Sequence, residues 1–463
     1  MTRIIQLLKD AFNSSAHDFT TISIRRAVVL LAIPMILEMC LESVFAVVDL
    51  FFVNKLGPGA VSIVGLTESV TAIVYSVAIG LSSAATAIVA RRIGEKNNRD
   101  ASKAAAQATL MAVVVSLVMG VIGFVFAKNI LQFMGAAPSA IEAGLNYTRI
   151  QLGTSIVVVL LFMLNGIFRG AGDAALAMRS LWVANICNII LCPVLINGYG
   201  PFPQMGITGA AVATCIGRGI GVLYQVYFLI KAKHIIHFYT EDFVPEWLSQ
   251  KALADIATPA IFQFLISSAS WIFLAAIVAQ SGVIASAGYQ TAIRLVIFFI
   301  LPAWGLSNAA VTLVGQNLGA QQPQRAEQAV MKTAKYNAIF MAMVTLLFYT
   351  CGEWIIRFFT PANQPEQIAI AVQALKYISS AYIFYGIGMV LMLSFNGAGD
   401  TRTPTIISFV GFWLLQIPLA YLLSHHFQLN YLGVFIAIPF SETVMAIISY
   451  FVFKQGKWKT VKV

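Results

Sequence analysis

The chain has 463 residues, 59% of them hydrophobic and 10% charged, with a mean hydropathy of +0.82. Soluble domains are about a quarter charged and roughly 45–50% apolar, so a soluble enzyme, a nucleic-acid-binding domain and a disulfide scaffold are excluded together. The net charge of +10 arises from basic residues lying mostly between apolar runs. The cysteines (Cys40, Cys187, Cys192, Cys215, Cys351) and histidines (His17, His234, His237, His425, His426) show no metal-binding spacing.

Residues 1–26 are expected to form a cytoplasmic arm. They lack the charged flank, apolar core and cleavage site of a signal peptide, and Ile4, Ile5, Leu7, Leu8 and Phe12 among Arg3, Lys9 and Asp10 predict a short interfacial helix. Apolar runs long enough to span follow near 27–53, 62–90, 104–127, 148–168, 178–197 and 207–231. After a linker at 232–252 they resume near 253–279, 284–313, 334–356, 374–395, 404–424 and 431–453, with a basic tail at 454–463. A span needs ~20 apolar residues, so twelve spans leave only short loops. Of the 29 Lys and Arg, 22 fall on the side of the termini and 5 on the other, while Arg218 and Arg294 lie within spans. By the positive-inside rule both termini face the cytoplasm of a plasma (inner) membrane.

The chain repeats itself. Gly80–Gly94 (GLSSAATAIVARRIG) returns as Gly305–Gly319 (GLSNAAVTLVGQNLG) at a shift of 225, as do Pro34 at Pro259 and Pro193 at Pro418. Phe168-Arg-Gly-Ala-Gly-Asp173 returns as Phe395-Asn-Gly-Ala-Gly-Asp400 at a shift of 227. The expected fold is therefore all-α, with twelve transmembrane helices in two pseudo-symmetric six-helix bundles, an N-lobe at 27–231 and a C-lobe at 253–453. Six is even, so both halves enter from one side, their pseudo-axis runs along the membrane normal, and the natural binding site is the cleft between them. The four matched prolines can bend helices at equivalent places or serve as static kinks.

Ionisable residues at membrane depth are functional candidates. At 100° per residue, Glu38, Glu42 and Asp49 share one narrow stripe of the first span, rising over about 16 Å. That stripe is expected to line a watery cavity, with Glu38 and Glu42 titrating as a coupled pair. At the 225 shift Glu38 becomes Gln263, Glu42 becomes Ser267 and Asp49 becomes Leu274, so the acidity sits in one half. Glu68 and Glu442 are further candidates, and Arg218 and Arg294 can pair with such acids or snorkel. The Gly-x-Gly-Asp motifs ending at Asp173 and Asp400 admit an intramembrane aspartyl protease dyad. Their place in short basic loops favours a glycine-permitted turn and an aspartate cap on the next helix.

These residues resemble the multidrug and toxic compound extrusion (MATE) family of antiporters, closest in look to its DinF-like prokaryotic branch. The resemblance is carried by Pro34 through Val48-Asp49-Leu-Phe-Phe-Val-Asn-Lys-Leu-Gly57, the paired Phe-x-Gly-Ala-Gly-Asp loops, Asn188-Ile-Ile-Leu-Cys-Pro193, Gly206-Ile-Thr-Gly-Ala-Ala-Val-Ala-Thr214 and Val314-Gly-Gln-Asn-Leu-Gly-Ala320. It implies a two-lobed exporter, not an enzyme, that moves small cationic or amphipathic organic molecules in exchange for protons or sodium by alternating access. It implies a single chain in the bilayer, a monomer with no cofactor beyond the coupling ion and no nucleic-acid partner. Asp49 matches the family's first-helix aspartate, and Asn188 and Thr214 match residues that assist it, so that a sodium ion would sit at Asp49, Asn188 and Thr214. Two departures stand out: Cys192 where the branch carries an aspartate, and Phe45 where it carries a tyrosine. Glu38 and Glu42 are expected to supply the displaced acidity, and Gln263 occupies part of the region where other branches place C-lobe acids. The alternative transporter is a lipid-linked oligosaccharide flippase, which would need an arginine- and lysine-lined cleft.

Overall fold

Apolar length sets where this chain crosses a membrane, while caps, prolines and glycines set where its helices stop. The computed structural model describes residues 9–12, 17–231, 235–360 and 363–463, apart from the side chains of Ala46, Val47, Asp49, Leu50, Asn54 and Pro58. The first half contains α1 (Ile24–Asn54), α2 (Pro58–Gly94), α3 (Asn98–Phe133), α4 (Pro138–Gly153), α5 (Ser155–Gly170), α6 (Ala174–Asn197) and α7 (Ile207–Ile230). The second contains α8 (Trp247–Ala279), α9 (Val283–Gly319), α10 (Pro323–Phe359), α11 (Pro365–Ser379), α12 (Tyr382–Ala398), a thirteenth helix, α13 (Arg402–His426), and α14 (Tyr431–Lys454). Among the described residues eleven stretches are long and apolar enough to cross a membrane, or twelve if α11 and α12, bent by 54°, are taken as one span. Most of the predicted interfacial helix lies outside the described residues.

The helix ends follow local chemistry. Pro138, Pro323 and Pro365 open their helices, where a missing N–H costs nothing. Asn97 caps α3 by accepting from the Asp100 N–H. Several helices outrun the spans expected from hydropathy: α2, α9 and α10 have 37 residues each, about 55 Å at 1.5 Å per residue, against a hydrocarbon layer of ~30 Å. Their polar ends therefore stand outside it. The fourth span also begins earlier than 148, at Pro138, and is interrupted at Thr154. α13 passes into π-helix over Phe409–Gln416 and Leu422–His426.

Side-chain packing between the halves is concentrated near the face that carries both termini. There Ala27, Val28, Leu31 and Met35 of α1 join Leu306, Ala309 and Leu313 of α9 in one core, and Leu253, Ile256 and Ala257 of α8 join the core built on α2, α5 and α6. Toward the other face the cores separate. One gathers Val53, Ile63, Leu131 and Leu195; the other gathers Leu274, Tyr289, Val344 and Phe435.

Glycine makes the closed seam possible. A Cβ on Gly94 would overlap the Gln316 carbonyl, and one on Gly319 would overlap the Arg91 carbonyl. Gly80 meets the backbone of Ile261 while Gly305 meets that of Met35 and Ile36. These contacts are related by the 225 shift, so the duplicated segment lets two helices touch backbone to backbone, as small residues do at membrane helix crossings. The ends of the chain strap the same face. Arg325 donates to the carbonyls of Phe19 and Ile22, Lys96 pairs with Asp18, and Arg91 donates to the Val461 carbonyl (2.8 Å).

Gly94→Val should hold this seam apart. In a background whose native cysteines are replaced, a cysteine at Asn308, which lines the seam, should react several-fold faster with a polar thiol reagent added from the terminal face. Unchanged labelling would show that the close approach is not required for closure.

Candidate ion-coupling and substrate site

α1 carries its carboxylates through the junction between the two packing regimes. Glu38 is buried, with 1% of its surface exposed. Its Oε1 accepts from the Asn165 side-chain amide on α5 (3.1 Å) and lies 3.8 Å from an Arg169 guanidinium nitrogen, while its Oε2 is buried without a hydrogen-bond partner. Asn165 is held in turn: its oxygen accepts from the Ser180 hydroxyl (3.0 Å) on α6 and from Gln225 on α7. One turn further along α1, Glu42 accepts from the Asn185 amide (3.1 Å) and from Arg218 (3.2 Å). Arg218 also lies 5.4 Å from the Tyr75 ring and 5.7 Å from that of Phe45. A single helix is thus tied to α5, α6 and α7 through polar bonds that have no competing water in hydrocarbon.

This arrangement corrects one expectation. Glu38 does not face a watery cavity, and Glu42 keeps only an edge open, its side chain 16% exposed. Arg218 does pair with an acid of the stripe, and Arg169, which the sequence did not offer as a partner, lies beside the other, so each glutamate has its own arginine. Removing two charges from water costs several kcal/mol per ion and is recovered only with good geometry and further hydrogen bonds, which the asparagines supply. Arg169 reaches the interface between halves: its carbonyl accepts from Thr312 of α9 (2.9 Å), and its side chain lines a cavity of about 20 Å³ with Phe264, Trp304 and Asn308 of the second half.

Asn188 donates to the Thr214 hydroxyl (2.9 Å), which itself donates to the Ala210 carbonyl (3.0 Å). Cys192 is fully buried in the outer core of the first half with Val53 and Leu195. Asp49 lies on α1 two turns beyond Glu42, as Cys192 lies two turns beyond Asn185 on α6; its side chain is outside the described residues. Gln263 is apart from this group, in the second half, where its oxygen accepts from the Asn396 amide (3.2 Å). Asn396 is the repeat counterpart of Arg169, so an amide pair replaces the Glu38–Arg169 ion pair. Glu68 is exposed on α2, Arg294 is exposed on α9, and Glu442 is buried on α14.

Asp173 and Asp400 each cap the helix that follows, accepting from the backbone N–H of Leu176 (3.0 Å) and Thr403 (3.2 Å). The preceding Gly172 and Gly399 have φ of +89° and +86°, the left-handed turn that glycine permits. Sequence reasoning did not single out Asn165, Ser180, Asn185 or Gln225. Their signal is present as isolated polar residues in apolar runs, but identifying the partners requires the helix packing.

Breaking one member of the buried pair should destabilise more than removing both. Arg218→Met is expected to cost about 3 kcal/mol by stranding Glu42, and adding Glu42→Gln should recover most of it in thermal unfolding of purified protein. Equal losses in the single and double variants would contradict the pairing.

The sequence profile of the MatE family matches residues 34–194 and 259–422, one match in each half. The chain is 28% identical over 445 residues to a probable multidrug resistance protein, YoeA, of Bacillus subtilis strain 168, covering 94% of this chain and 95% of that one. It is 27% identical over 436 residues to a probable multidrug resistance protein, NorM, of Thermotoga maritima, covering 94% and 93%. Among solved structures, a MATE in complex with MaL6 superposes with a TM-score of 0.90 at 24% identity, covering 96% of this chain and 98% of the other, and shares its fold. The chain is a multi-pass membrane transporter rather than an enzyme, and it belongs to the MatE (MATE) family.

Proposed function

We propose that this transporter exports small cationic or amphipathic organic molecules from the cytoplasm in exchange for protons or sodium. Both termini lie on the cytoplasmic side in this reading, which makes the face sealed by α1 and α9 the inner one. The observation that carries the reading is the double duty of α1. Its inner part is sealed against α9, while Glu38 and Glu42 tie its middle to α5–α7. An ion bound farther along the same helix would therefore act on the seam through a continuous rigid element.

Asp49, Asn188 and Thr214 form the coupling site in this reading. Asn188 donates one amide hydrogen to Thr214 while its carbonyl oxygen can accept a cation, and the Thr214 hydroxyl retains acceptor capacity. Cys192, fully buried in the first half, and Gln263, bonded to Asn396 in the second, add no charge to this site. A cation at Asp49 would favour one tilt of α1 and its release the other, which is the differential affinity alternating access requires. The multidrug names of relatives matched over nearly the whole chain support an organic cargo. A lipid-linked pyrophosphate would need arginines free to receive it, whereas Arg169 and Arg218 are engaged by Glu38 and Glu42.

The test is ethidium efflux in proteoliposomes with proton and sodium gradients imposed separately. One exchanged charge at 100 mV supplies about 2.3 kcal/mol, about fifty-fold in the concentration ratio that can be sustained. Asp49→Asn should lose a factor of that order; an undiminished ethidium gradient in the variant would remove Asp49 from coupling.

A further inference from the structure

The two halves differ in charge at one equivalent position. α7 and α14 both begin after a residue with positive φ, Gly206 at 55° and Asn430 at 50°. At the shift of 224 that relates these two helix starts, Gly209 matches Gly433 and Arg218 stands against Glu442. Tyr75, beside Arg218, has its counterpart at Ile300, which lines the cavity at Glu442. Where the first half places a cation against Glu42, the second half places a carboxyl group.

Glu442 is 9% exposed and has no basic side chain or hydrogen-bond donor paired with it among the described residues. Its cavity, about 10 Å³, is lined by Trp271 of α8, Val296 and Ile300 of α9, Ile378 of α11, Tyr382 and Tyr385 of α12 and Ile438 of its own helix. The tyrosines are the only other titratable groups in that lining, and none of the residues is charged. The Tyr382 hydroxyl is buried without a hydrogen-bond partner. A single water needs roughly 10–15 Å³ and two or more polar partners, so neither a sodium ion with its oxygen ligands nor an organic cation fits here. An isolated buried carboxylate is strongly disfavoured and takes up a proton instead.

We propose that Glu442 is a proton-binding site of the second half, occupied in the conformation seen here and emptied to water when the α8–α12–α14 pocket opens. In opening, the Glu442 O–H bond breaks, the proton leaves on water, and the carboxylate remains hydrated; closure requires the reverse. The site lies outside the Asp49 group, and its role in coupling rests on the antiport reading above.

The experiment is infrared spectroscopy of the full-length protein in lipid, read at the protonated-carboxyl stretch while the pH is raised from neutral. Wild type should show this band at neutral pH and lose it on titration. Glu442→Gln should lack it, Glu42→Gln should retain it, and Glu442→Asp should restore it at a displaced frequency. Absence of the band in wild type, or its persistence unchanged in Glu442→Gln, would overturn the proposal. The spectrum does not depend on transport. A protein with the band that moves no ethidium under any gradient would refute the antiport reading alone, whereas driven efflux without the band would refute the Glu442 site alone.

Discussion

α1 belongs to two cores at once, and the rest of the molecule is organised around that constraint. Its first turns pack with α9 of the opposite half and its last turns pack with α2 and α6 of its own. Between them, Glu38 and Glu42 are anchored to α5, α6 and α7. In hydrocarbon these polar groups must be satisfied within the protein, so the middle of α1 is joined to the first half by bonds that are costly to abandon. Any change in the tilt of the first half is therefore felt at the seam with α9.

Duplication supplied the seam, and divergence supplied the asymmetry. Gly80, Gly94, Gly305 and Gly319 allow related backbone contacts across the interface, so the closed face retains the symmetry of the repeat. The polar interior does not. Glu38 with Arg169 becomes Gln263 with Asn396, and Arg218 becomes Glu442. The first half is cross-linked by compensated charge, while the second keeps one carboxyl group among aromatic side chains. Two similar scaffolds thus differ in buried charge: ion pairs along α1 in the first half, and in the second a carboxyl group in an uncharged lining.

The fold was legible because its strongest signals are long-range and redundant: twelve apolar runs, a repeated glycine-rich segment and paired Gly-x-Gly-Asp turns. Helix ends were less legible, since hydropathy fades at the edge of the hydrocarbon whereas helices such as α2 and α10 continue in polar sequence. The break at Thr154 was missed because apolarity continues beyond it in α5. At the site, spacing placed Glu38 and Glu42 on one face of α1 but was silent about what that face meets. Arg169 was read as a loop residue, yet its side chain reaches Glu38, and Asn165 and Asn185 gain meaning only from the helices opposite them. A pattern along one helix gives direction; neutralisation of charge depends on the neighbours.

The central claim is that an ion at Asp49 controls the seam through α1. Spin labels at Asn98 and Gln324, exposed positions on the terminal face of opposite halves, would report the separation there by pulsed electron resonance. In wild type the distance distribution should shift between short and long populations as protons or sodium are varied, and Asp49→Asn should hold it in one population. A variant that responds to the ion exactly as wild type does would contradict the account.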